Sequence, residues 1–453
     1  MGLRTLFIFG VVFITIPLAW RVPFYGLLTF SWLAYMRAQD LTWGIARTAR
    51  LSYVVAAVMF LGWFVNERRR FTVMDIRIKL MLAMTLATFV SFAGAREQNE
   101  WIQNRLLEFV KIILIAVFTA GQLTTRYRVK ALLWTIALSL GFFGVKGAIF
   151  GVLSGGSVIK QGPGGMLEDN NDFALALVMN LPLLFYLGQA ETNKWVRRGT
   201  ITACCMSVIP ILLTHSRGGF LAMCAVLGVF WWRSRQRIAG LALVGVVVVA
   251  FFLLVPDHVL ERIGMISDYK GDSSAMGRLM AWGVARDMIL DYPLLGVGIR
   301  NFRHHFTDYI DFEVSWSPVA HNSYLQIWAE GGTIAFVIYM ALIVTTFWQL
   351  GKLRRLGMSI PGGNWIFNYA RMIEACMAGF VVGAMFLNRG HFDLVYHLFA
   401  IVTGFAVVAN QQARQPLGVT TDEFDMRPLE IKPHRGFRGS GAGPLRPTPT
   451  WGR

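Results

Sequence analysis

The chain has 453 residues, of which 55% are hydrophobic and 15% charged, with a formal net charge of +17 and a mean hydropathy of +0.50. That balance excludes a soluble globular domain. The basic residues sit in short loops between apolar runs, so the charge reads as membrane topology and not as affinity for nucleic acid.

A membrane crossing takes about 20 mostly apolar residues. Segments near that length recur at 3–20, 22–36, 51–65, 74–93, 105–123, 131–153, 172–189, 199–213, 217–232, 238–255, 322–350, 371–388 and 393–409. The first two are short, so the sequence predicts twelve or thirteen crossings in an all-α, polytopic membrane protein. Residues 1–20 have the charge and apolar run of a signal peptide but lead from Trp20-Arg21-Val22-Pro23 into more apolar sequence, which predicts a retained helix. Cys204, Cys205, Cys224 and Cys376 lack metal-ligand spacing and read as small core residues.

The basic loops at 67–79, 126–130, 194–198, 233–237 and 352–355 are separated by even numbers of crossings and share one side, which the positive-inside rule makes cytoplasmic. Arg37, Arg47 and Arg50 fit that pattern less well and leave the N-terminal side open. The opposite side collects AGAREQNEWIQN (93–104), GGSVIKQGPGGMLEDNND (155–172), THSRGG (214–219), a loop from Pro256 to Ala320, and NRGHFD (388–393). Four regions follow: helices over 1–255, an extracytoplasmic loop subdomain over 256–320, helices over 321–410, and a Pro/Gly/Arg-rich tail over 411–453 expected to be disordered.

THSRGG falls where one crossing ends and the next begins. Ser216 is the expected N-cap, which sets Arg217 on the first helical turn, where free N–H groups and the helix dipole favour an anion. Arg217 there either binds phosphate oxygens or snorkels to lipid headgroups, and Gly218-Gly219 are expected to admit a ligand to the backbone. In the long loop an amphipathic helix is predicted from Arg278 to Ile289, with Leu279, Trp282, Val284, Ala285 and Ile289 on its apolar side. Arg278 and Arg300 are candidates to complete a diphosphate clamp. His321, after Pro318 at a helix start, is a candidate general base or a capping residue. Glu330 is expected to pack helices or bond backbone. His304-His305 are a weak metal signal.

Glu168, Asp169 and Asp172 form a solvated turn or a site for sugar hydroxyls or a cation. Lys146, costly in a bilayer, either snorkels or faces the same cavity. Asp393 enters the last helix, with His397 one turn on, read as a satisfied core residue. No Walker, dinucleotide-binding or HExxH motif is present.

The order of SRGG (216–219), GR…W…DYPLLGVGIRNF (277–302) and AHNSYLQIWAEGG (320–332) resembles the O-antigen ligase and O-antigen polymerase superfamily of bacterial membrane glycosyltransferases. GPGGMLEDNNDFALALVMNLPLL (162–184) and FLNRGHFDLVYHLFA (386–400) are similar to the O-glycosylation ligases that accompany exosortase systems. The resemblance implies a GT-C-like, metal-independent enzyme without cofactor, in the inner membrane with its active site facing the periplasm. Its donor would be a glycan on undecaprenyl diphosphate and its acceptor lipid A-core, a protein hydroxyl or a second glycan. It places Arg217 and Arg278 on the diphosphate and makes His321 the base. Arg300, Asn322 and Asp393 are further candidates for substrate contact. A lipid-glycan transporter is the distant alternative, disfavoured because the polar candidates lie at the outer edge and not at midplane.

Overall fold

The computed structural model describes residues 2–42, 45–67, 75–233, 273–311 and 318–414. The predicted crossing at 238–255, the first part of the long loop and the tail beyond 414 lie outside the described residues. The rest is helical, and among the described residues the sole β pairing is an isolated bridge between Gln161 and Asp169. Seven described helices are long and apolar enough to cross a membrane, as expected of a multi-pass membrane protein.

The first hairpin is two helices, α1 (Leu3–Arg21) and α2 (Pro23–Tyr35), because Pro23 at the first helical position pre-sets φ but cannot continue α1's hydrogen bonds. Then follow α3 (Leu51–Asn66), α4 (Ile76–Ala93), α5 (Glu100–Gln122), α6 (Arg126–Leu153), α7 (Asn170–Ala190), α8 (Lys194–Leu213) and α9 (Arg217–Arg233). After the undescribed stretch come α10 (Ser273–Asp291), α11 (Ser323–Ser359), α12 (Asn364–Gly383) and α13 (Asp393–Ala413).

Side-chain caps set several starts. Asn99 accepts from the Ile102 amide and begins α5 before the predicted position, and Thr125 does the same for α6 through Arg128. α12 differs most from expectation, starting seven residues early and ending five early. Its added first turns, NWIFNYA, are uncharged and bury Trp365, Ile366, Tyr369 and Ala370, while buried Glu374 further along pairs with Arg233 of α9 and with Arg354 of α11. The residues thereby released, 384–392, form a loop.

The basic ends converge at one end of the bundle. Arg128 reaches Glu67 (3.6 Å), Lys130 reaches Glu191 (2.6 Å), and Arg371 donates to the Arg233 carbonyl. At the other end the turns preceding α5, α7, α9, α11 and α13 gather. Arg4 donates to the Leu41 carbonyl, so α1 begins at this second end, which answers the question that Arg37, Arg47 and Arg50 raised. Nearly every residue of α7 and α13 is buried, so these two helices form the centre of the bundle and both start at the second end. Cys376 is buried, whereas Cys205 and Cys224 face outward, so the expectation of core cysteines fails for those two.

α10 packs a second, smaller core through Ala281, Val284, Ala285 and Met288, at i, i+3, i+4, i+7 spacing, against Val297, Phe302 and Phe306. Of the expected apolar side, Val284 and Ala285 are buried, Ile289 packs against them and Trp282 is half-buried, whereas Leu279 is exposed. α11 is broken at Gly332 (φ 67°). The loop after α10 fills the break, with Val297 and Gly298 amides donating to the Ala329 and Glu330 carbonyls and Thr333 donating to Pro293. A Cβ on Gly332 would stand 2.1 Å from the Leu294 oxygen, so GVG and EGG are two halves of one joint.

Candidate active site

THSRGG is a tight turn. Ser216 Oγ accepts from the Gly219 amide (3.0 Å), the N-cap expected for α9, and Arg217 is exposed on the first turn. His215 takes φ 53°, and the Thr214 carbonyl accepts from Asn170 Nδ2 (2.8 Å), which ties this turn to the start of α7. The two glycines serve packing and not ligand access. A Cβ on Gly219 would lie 2.6 Å from Ala174 Cβ, and one on Gly218 would lie 3.0 Å from Phe386 Cβ.

His321 is half-buried with φ 47°. Its neighbours are fixed on both sides. Trp282 Nε1 of α10 donates to the Ala320 carbonyl (2.8 Å), and Asn322 caps α11 by accepting from the Tyr324 and Leu325 amides. The Asn322 side-chain oxygen is therefore engaged by backbone. Burial pushes the His321 imidazole below its ordinary value, Arg278 pushes it the same way, and Asp169 opposes them. Arg278 of α10 and Asp169 at the start of α7 are thus both within electrostatic reach of His321. A neutral imidazole between a cation and a carboxylate is equipped to accept a proton.

The loop 384–392 closes the site from below. Ser323 donates through its amide to Ala384 and through its hydroxyl to Leu387, and accepts from the Arg389 amide. The Arg389 guanidinium pairs with buried Asp172. Burial lowers Arg389 to about 10 while Asp169 and Asp393 hold it up, so it stays charged. Asp169 caps α7 by accepting from the Asn171 amide. Asp393, at the start of α13, is attracted by Arg389 and by Arg37. Arg37 lies against Gly164 and Gly165 and pairs with Asp40 (2.5 Å).

Arg217, Arg278, His321, Asp169 and Asp393 therefore share one end, linked through α7 and the 384–392 loop. Arg300 departs from the proposed clamp. It is set against Glu330, nine residues beyond His321 along α11, and burial lowers its pKa with Glu330 opposing. Glu330 accepts from Gln326 Nε2 (2.5 Å) and from the Arg300 and Phe302 amides, so it bonds backbone as expected. Nearby His391 is pushed down to about 3 by burial, with Arg300 adding.

Lys146 also departs. It is exposed on the outward face of α6 with Phe142, Ile149 and Phe150, because hydrocarbon stems lie readily along an apolar surface. Glu168 is exposed at the end of a short 3-10 turn. His397 is a core residue, 2.8 Å from the Tyr35 hydroxyl and 3.0 Å from Thr119 Oγ1. His304 and His305 are both held below the usual histidine range, mainly by burial.

Residues 202–340 match the family model described as O-antigen ligase. They belong to the O-antigen ligase and polymerase superfamily. Residues 3–192 match a family of unknown function, DUF5935. No curated protein matches the chain. The O-antigen ligase match holds Arg217, Arg278, Arg300 and His321, so the candidate base and the arginines come from the superfamily region. Asp169, Asp172, Arg37 and Lys146 fall in the second match, and Arg389 and Asp393 in neither. The candidate site is thus composite, drawn from the O-antigen ligase match, the second match and the stretch beyond both. Sequence reasoning placed NRGHFD on the site side without singling out Arg389, and read Arg37 only for topology; nothing local signals their long-range carboxylates Asp172 and Asp393.

Proposed function

We propose that the chain is an O-antigen ligase-type glycosyltransferase, moving a glycan from undecaprenyl diphosphate to a sugar hydroxyl of lipid A-core. The observation that carries the reading is His321, half-buried and held neutral beside Arg278, within the O-antigen ligase match. As general base, His321 takes the proton of the acceptor hydroxyl as its oxygen attacks the anomeric carbon opposite the leaving diphosphate, which inverts that carbon. Arg217 and Arg278 bind the diphosphate and, with the N-terminus of α9, stabilise the charge that develops on it, so the step needs no metal. Asp169 orients the imidazole. Arg300, engaged by Glu330, supports the loop instead of touching donor.

The convergence of basic loops supports placing that end in the cytoplasm and the site in the periplasm of the inner membrane. The N-terminus at the site end supports the reading of α1 and α2 as two separate crossings. The break in α11, filled by backbone, gives no support to a transporter reading. The test is reconstitution of the protein with an undecaprenyl-diphosphate glycan and separate lipid A-core, peptide and oligosaccharide acceptors. The expected result is joined product on lipid A-core without nucleotide. Product only on peptide or only on oligosaccharide would reassign the acceptor, and none on any acceptor would overturn the transfer reading.

A further inference from the structure

Between α2, α5 and α13, just below the site end, lies a cavity of about 220 Å³. Its walls are mainly apolar, with Phe30 and Phe392 among them, yet polar groups enter it that the fold leaves unused. The Ser31 hydroxyl and the Gln39 amide oxygen are buried without a hydrogen-bond partner, and both residues line this space. Ser31 is 1% exposed. The Asp393 carboxylate joins them, with Arg37 and Lys111 also on the lining.

Size and chemistry narrow the occupant. The volume far exceeds the roughly 10–15 Å³ that one water requires and falls short of the roughly 300 Å³ at the lower end of drug-sized sites. One six-membered ring fits that range. A hydrocarbon chain would leave the Ser31 and Gln39 oxygens as unsatisfied as they are now, and such groups are rare in folded proteins. A pyranose presents apolar ring faces to Phe30 and Phe392 and hydroxyls to Ser31, Gln39 and Asp393.

We infer that this cavity is a subsite for a single sugar ring of the glycan substrates. The inference rests on the transferase reading and deepens it. Most of the walls, including residues 30–39, 111–115, 167 and 176, come from the region that matches the family of unknown function, and the remainder from α13. The cavity therefore selects which glycan is handled, while residues 202–340 carry the transfer. Asp393 connects the two, since Arg389 attracts both it and Asp169, the carboxylate that faces His321.

The test is ligand-observed saturation-transfer NMR on the full chain in detergent, using methyl glycosides of glucose, galactose and N-acetylglucosamine, with geraniol as an apolar probe. At least one glycoside should bind, and the Ser31→Ala/Gln39→Leu double substitution should weaken it about tenfold or more, since lost hydrogen bonds to a ligand discriminate strongly. Geraniol binding should not fall. Ala34→Leu, which fills the cavity without touching its polar groups, should also remove glycoside binding and guards against misfolding of the double variant. Competition by a short prenyl-diphosphate sugar would assign the ring to the donor, and simultaneous binding would assign it to the acceptor.

Binding of no glycoside, equal binding by both variants, or preference for geraniol would overturn the subsite. His321→Ala should leave glycoside binding intact. Transfer activity with no glycoside binding would thus sink the subsite alone, while glycoside binding with no transfer would sink the transferase reading alone.

Discussion

His321 is held with positive φ, as are Arg37, Arg50, His215 and Arg300, the other non-glycine residues of this kind among the described residues. All five occur in turns of the site end or of the loop after α10, where strained backbone is a recurring companion of function. Because burial and Arg278 both disfavour the imidazolium, His321 should lose its proton below the ordinary value near 6.5. The rate should therefore stay high on acidification until the pH passes below that value, then fall as the base is protonated. Arg278→Gln removes a repelling charge, raises the imidazole pKa and should move this acid limb to higher pH. A pH profile of kcat/KM for both proteins checks the sign, and an unmoved limb would break the Arg278–His321 coupling. Arg217, Arg278 and His321 were legible as residues because a polar interruption in an apolar run stands out. Arg300 misled because an arginine beside glycines looks available until Glu330, thirty residues away, is placed against it.

At the scale of elements, the glycines of α9 show what local pattern conceals. SRGG suggested an open approach for ligand, but the space is occupied by α7 and the 384–392 loop. Gly219→Ala should destabilise the bundle by about 1–3 kcal/mol through overpacking against Ala174, whereas Gly228→Ala, with nothing within 4 Å of the added methyl, should be neutral or slightly stabilising. Thermal unfolding in detergent separates the two. Trp282 tests a joint instead of a core. Trp282→Phe deletes the bond to the Ala320 carbonyl, worth about 1 kcal/mol, and should lower turnover more than it lowers stability because His321 follows directly. Helix positions were legible from hydropathy wherever caps and apolar runs coincide. The bounds of α12 were not, since its first turns, NWIFNYA, mix polar and apolar residues and are buried only by the packing of the bundle.

For the whole molecule, spacing of basic loops correctly grouped the ends that converge, because each loop is separated from the next by two crossings. The N-terminal side depended on the contact between Arg4 and Leu41 and could not be read from charge alone. In a background without native cysteines, Lys160→Cys at the site end should react with a membrane-impermeant thiol reagent in spheroplasts, and Lys194→Cys at the basic end only after lysis. The reverse pattern would invert the topology.

The central claim is that His321 takes a proton from an acceptor hydroxyl while Arg217 and Arg278 hold the diphosphate. Its most direct test is single-turnover transfer by reconstituted wild type and His321→Ala, with donor binding measured on the same samples. The account predicts unchanged donor affinity and a rate reduced by about 10²–10⁴, the range expected for loss of a general base. Transfer by His321→Ala at the wild-type rate would contradict it.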